Sequence, residues 1–297
     1  MPDPGAIQGP RPSQDCAAGA EKTCMSSLSS DSCAAWTRRL TSAPIPVLRV
    51  TANTVDALSE HHEAVGANSL ADFILRDPLM TLRLLIHISR TVGSRLVTPV
   101  ETVTGGLVLT GIDPFFRDFS SLPRLEDRLA QVPAALAGAL RAIERSRRAA
   151  RLAAAFAIHR QDEDAEVLHQ AALLNNFAGL LIWCEAPALA LEMAARQRAD
   201  RALRSAEVQR AVLGVELAAL ELALMEAWGL SPFLRELATP GDAPRAGPRS
   251  VMLAVRIARH SHAGWNNPAL PDDYFELGQL LNMPVHAACA LVREVDL

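Results

Sequence analysis

Apolar positions along this chain recur mainly at steps of three and four, the spacing of an amphipathic helix. Runs alternating in the two-residue period of a strand, rich in Val, Ile, Thr and Tyr, are scarce. The pattern predicts an all-α fold. Residues 1–43 lack periodic apolar positions and are rich in Pro, Gly, Ser and Ala, so they read as a disordered or loosely ordered tail with one short helix at Ala34–Leu40. The character changes at Pro44-Ile45-Pro46. A helix is expected over Val47–Glu60, and Ser69 with Asp72 reads as a capping box that starts the next. Asp77-Pro78 restarts the chain with an N-cap and a first-turn proline. Leu79, Leu82, Leu85, Ile86 and Ser89 mark the inner face of that helix. Thr98-Pro99 repeats the start signal, Gly111 is a C-terminal cap, and Asp113-Pro114 opens a short helix. A long helical region is expected from about Leu122 to Ile158, and further helices begin at Pro187, Ser205, Ser231-Pro232, Ser250, Tyr274 and Pro284.

The stretch that organises the rest is Leu168–Cys184, LHQAALLNNFAGLLIWC. Leu173, Leu174, Phe177, Leu180, Leu181 and Trp183 leave little room for a solvated face, so it reads as a buried helix. Asn175 and Asn176 interrupt it. A buried amide without hydrogen-bond partners costs about 1–3 kcal/mol. The pair therefore either joins a polar pocket or caps a local kink.

Composition narrows the function. Hydrophobic residues are 49% of the 297, enough for a sizeable core, whereas aromatics are only 4%. The formal net charge of −4 argues against nucleic acid held by bulk charge, so none is expected as a partner. Cys16, Cys24, Cys33, Cys184 and Cys289 include no CxxC pair, which argues against a disulfide framework or structural zinc. No basic-then-apolar start resembles a signal peptide. By this reading no apolar run reaches the roughly 18–20 residues that span a bilayer. A cytoplasmic protein without a membrane partner is the expectation.

The order of several motifs resembles the HDOD family, an output domain related to the HD hydrolases. Arg76, Asp77, Pro78, Met80, Thr81, Leu84 and Leu85 match its Asp-Pro-x-Leu/Met-Thr-x-x-Leu-Leu run. LGVELAALELALMEAWGLSP at 213–232 and IARH at 257–260 follow in the family's order. The resemblance spans about Pro44 to Leu297. It implies a helical N-terminal lobe over 44–125 and an HD-like helical lobe over 126–297. It also implies a bacterial signalling or regulatory module.

The same resemblance locates a degenerate site. HD hydrolases hold metal with His, His-Asp and a distant Asp. Arg145, Asn175, Asn176 and Arg259 stand at the equivalent places here. Guanidinium does not ligate a cation, and neutral Asn is a poor sole ligand. No catalytic residue, metal or cofactor is therefore expected. The leading expectation is a non-catalytic module that binds another signalling protein. A second is a sensor that holds a small anionic ligand, such as a nucleotide, on Arg145, Asn175, Asn176 and Arg259. A third is a residual metal-dependent phosphohydrolase with rearranged ligands. The stripe Leu217, Leu220 and Leu224 reads as core rather than interface.

Overall fold

The computed structural model describes residues 32–61, 63, 65–92, 100–200, 202–238 and 245–295. Cys16, Cys24, Thr98, Pro99 and the loop 239–244 lie outside them. Among the described residues the only pairing of extended backbone is an isolated parallel bridge between Val47 and Arg124. The fold is all-α.

Helix α1 covers residues 32–42, where the short helix at 34–40 was expected. It docks against the distant end of the chain: Trp36 Nε1 donates to the Leu213 carbonyl at 3.1 Å, and Leu40 is fully buried. The first lobe then consists of α2 (Arg49–Ser59), α3 (Ala67–Ile74), α4 (Pro78–Thr91), α5 (Val103–Thr110), α6 (Ile112–Asp118) and α7 (Leu125–Arg128). The bridge at Val47 ties its two ends, with Val47 N donating to Pro123 O and Leu125 N to Val47 O, each at 2.8 Å.

Asp77 is the hub of this lobe. Its Oδ1 accepts from Leu79 N at 3.0 Å, capping α4 as the Asp-Pro step predicts. Its Oδ2 accepts from Leu48 N at 2.9 Å and Thr51 Oγ1 at 2.8 Å, so one buried carboxylate also holds the start of α2. The expected capping box at Ser69 does not form. α3 begins three residues earlier, at Ala67, with extended Gly66 at its N-cap. Ser69 is then already inside the first turn, where its hydroxyl has no capping position to fill.

The second lobe is built on α8 (Pro133–Arg160), to which α9 (Ala165–Leu174) and α15 (Ala246–Ser261) are the main packing partners. The helical region expected from Leu122 is thus split by the turn between α7 and Pro133. Gln161 ends α8 in a left-handed conformation. α10 (Phe177–Glu185) crosses α8 where Trp183 lies over Gly138. A Cβ there would come within 2.4 Å of the indole, so the bare backbone admits the ring. α11 (Pro187–Ala199), α12 (Ser205–Leu213), α13 (Leu217–Ala227) and α14 (Pro232–Ala238) follow. α16 (Leu270–Leu281) and α17 (Val285–Val295) close the chain. The helix expected from Ser205 does start there, but Arg204 precedes it and no side chain caps it. Leu217, Leu220 and Leu224 are buried in the core.

One hydrophobic core runs through both lobes. The stretch Ala165–Glu185 does reach the length and apolarity of a membrane span, contrary to the reading of the sequence. It is 78% buried inside the protein, and it is two helices rather than one.

Candidate functional site

The central stretch breaks at the asparagines. α9 ends at Leu174, Asn175 turns to extended backbone (φ −57°, ψ 129°), and Asn176 takes the left-handed conformation (φ 68°, ψ 27°) before α10 begins at Phe177. Asn is one of the few non-glycine residues that enter that region at low cost. Of the two roles left open for the pair, the backbone adopts the kink. The Asn176 side chain folds over Gly179, where a Cβ would come within 2.7 Å of its Oδ1.

A new helix start leaves its first amides without partners inside the helix. Here an acid from another helix meets them. Glu221 of α13 is buried, and its Oε1 accepts from Ala178 N at 3.2 Å. The amides of Phe177 and Asn176 also favour its charged form. Burial outweighs these donors and pushes the Glu221 carboxyl up to about 8. Phe177 and Trp228 pack beside it with ring centroids 5.9 Å apart. Sequence reasoning overlooked Glu221, although the signal was present: it shares a helical face with Leu217, Leu220 and Leu224.

The two arginines meet at His262. Arg145 lies on α8, half-buried, where burial and the neighbouring charge of Arg141 push its pKa down from the usual arginine range. Its charge also acts on His262, just beyond α15, whose pKa is lowered by burial first and then by Arg145, Arg148 and Arg141. His262 bonds the backbone of Arg259, which brings Arg145 and Arg259 into one neighbourhood. The Arg259 side chain is exposed and points Nη2 to within 3.5 Å of His260 Nε2. Among the described residues, no hydrogen bond joins Arg145 or Arg259 to Asn175 or Asn176. The asparagine pair forms the helix junction, and the arginine pair lies beside His262.

These donors do not suit a divalent cation. The arginines remain cationic, the Asn176 amide lies over Gly179, and Glu221 is committed to the α10 amides. Among the described residues no three His, Cys, Asp or Glu side chains gather closely enough to hold a metal ion. Nor is there an activated thiol at Cys184, which burial pushes up to about 12.

A helical domain of two lobes, with an asparagine-broken central helix, matches the HDOD domain model over residues 45–244. The chain belongs to the HDOD family. Among solved structures it is similar to the MmoQ response regulator of Methylococcus capsulatus, at 19% identity and a TM-score of 0.62, covering 84% of this chain and 98% of that one. It is also similar to a virulence factor of Campylobacter jejuni, at 18% identity and a TM-score of 0.58, covering 85% and 90% of the two chains. At these identities the likeness defines the fold. No curated protein matches the sequence.

Proposed function

We propose that this protein is a non-catalytic regulatory module of signal transduction that works by binding another protein. The observation that carries this reading is the junction at Asn175-Asn176. The resemblance aligns Asn175-Asn176 with the metal-binding His-Asp pair of HD hydrolases; here these residues turn the backbone, and the buried acid Glu221 caps the helix that follows. Membership of an output-domain family and the fold shared with a response regulator support the regulatory part.

Two measurements test it. Metal analysis of the purified full chain, combined with a phosphodiester hydrolysis assay in added Mn²⁺, Zn²⁺ or Mg²⁺, is expected to give no stoichiometric metal and no turnover. Metal bound one-to-one with turnover would overturn the non-catalytic half. Affinity capture from a related lysate is then expected to yield a defined stoichiometric complex that reforms from purified components. Failure of every captured protein to rebind would overturn the partner half.

The second reading, a small anionic ligand near Arg145, is supported by the like-charged pair Arg141 and Arg145 on one face of α8. Calorimetric titration with a nucleotide panel, cyclic dinucleotides included, tests it. A flat response would end it.

A further inference from the structure

α4 buries most of its surface, yet Arg83, His87 and Arg90 recur along it at steps of four and three and so share one side. That side lines a cavity of about 270 Å³. The end of α1 and the residues just after it supply a second wall, through Leu40, Thr41 and Ala43. Phe119, beyond the end of α6, and Trp228, from the second lobe, add aromatic surface to the lining.

The charges in this cavity do not balance. Arg83 is half-buried; its Nη1 donates to the Ile45 carbonyl at 2.7 Å, and its guanidinium lies 5.9 Å from the centroid of the Phe119 ring. Among the described residues no carboxylate pairs with it, and burial pushes its pKa down. Arg90 is exposed and, among the described residues, has no ion pair. The lining also holds one acid. Asp118 accepts from Arg117 Nε at 2.9 Å and lies 3.3 Å from His87 Nε2. The Arg117 guanidinium holds the Asp118 carboxyl below its usual range, so it is ionised and already matched. Arg83 and Arg90 are left as the cations without an acid.

Size, charge and lining together select an occupant. The cavity is slightly smaller than the roughly 300–1,000 Å³ of drug-sized sites, so the occupant is compact. Guanidinium suits both carboxylate and phosphate. The ionised Asp118 in the same lining decides between them, because it repels a second negative charge. Leu40, Ile86, Phe119 and Trp228 favour an apolar body over a bare anion.

We propose that this cavity binds a compact monocarboxylate with an apolar body, such as a short branched or aromatic acid. Arg83 and Arg90 receive the carboxylate, and Ile86, Phe119 and Trp228 receive the body. Leu40 belongs to α1, Arg83 to the first lobe and Trp228 to the second. One occupant would therefore fasten three parts of the chain and give the module a small-molecule input.

The test is isothermal titration calorimetry of the full chain with isovalerate and benzoate. Acetate lacks the apolar body, benzamide lacks the charge, and inorganic phosphate carries more charge; these are the controls. Saturable one-to-one binding of isovalerate or benzoate is expected, at least about tenfold tighter than any control. Arg90→Gln removes an exposed cation, and Ala43→Phe fills the cavity and leaves every charge in place. Each should weaken binding at least about fivefold, with circular dichroism verifying the fold. Absent heats for both apolar acids, a control that binds within about tenfold of them, or a smaller loss in either variant would each overturn the proposal. The cavity shares no residue with the neighbourhood of Arg145, and the assay contains no partner protein. Its failure would leave both readings of the function standing.

Discussion

Ala178 donates its amide to Oε1 of Glu221 at 3.2 Å, joining the start of α10 to the middle of α13 through the side chain of a buried residue. Burial raises this carboxyl from its ordinary 4.5 to about 8. The folded protein therefore binds a proton there that the unfolded chain has released. The stabilising contribution of the neutral group is complete below about pH 4.5 and is lost as pH rises through about 8. A tenfold change in proton affinity is worth about 1.4 kcal/mol, so the full effect is on the order of a few kcal/mol. Glu221→Gln keeps the shape and removes the titration. Urea unfolding from pH 5 to pH 9 should show the variant gaining on the wild type as pH rises. Parallel stability curves would refute the linkage.

Asn176 sits at φ 68°. Asn176→Gly should hold stability within about 1 kcal/mol, because glycine enters that region freely. Asn176→Val should cost about 2 kcal/mol or more, because a β-branched side chain is strained there. Thermal unfolding of the pair provides the comparison, and equal melting temperatures would count against a conformational role.

Asp77→Ala removes the acceptor for Leu48 N, Thr51 Oγ1 and Leu79 N together. Buried donors left without partners cost about 1–3 kcal/mol each, so a loss of at least about 3 kcal/mol is expected in chemical denaturation. A loss under 1 kcal/mol would show that water or a neighbouring group takes over these donors.

Placing His-Asp at the central break, as Asn175→His with Asn176→Asp, should not create a metal site. The new side chains would stand beside a committed Glu221 and without acids at Arg145 or Arg259. Zinc or manganese titration monitored by elemental analysis is expected to remain substoichiometric. One-to-one metal in this variant would show that the rest of a ligand set persists.

Much of the fold was legible because its signals are local. Asp77-Pro78, Gly111 and Pro187 each mark a helix end through backbone geometry that neighbouring residues determine. The break at Asn175-Asn176 was harder to read, since two amides inside an apolar run suit a polar pocket in one buried helix as well as a junction between two. The cap supplied by Glu221 lies 43 residues from the amide it meets, and no local pattern encodes that meeting. The same holds for the site residues. The resemblance names Arg145, Asn175, Asn176 and Arg259 from far-apart stretches of sequence, and no local pattern encodes the meeting of Arg145 and Arg259 at His262.

The docking of α1 and α15 bears on how the protein is cut for experiments. The family match begins at residue 45 and ends at 244. A fragment trimmed to those limits would lose Trp36 and Leu40 at one end and Val251, Leu253, Ala254 and Ile257 at the other, stripping apolar cover from α8 and from the region near Leu213. Such a fragment would present a sticky, artificial surface, and any partner it captured would be suspect. Expression boundaries should start before residue 32 and continue through α17.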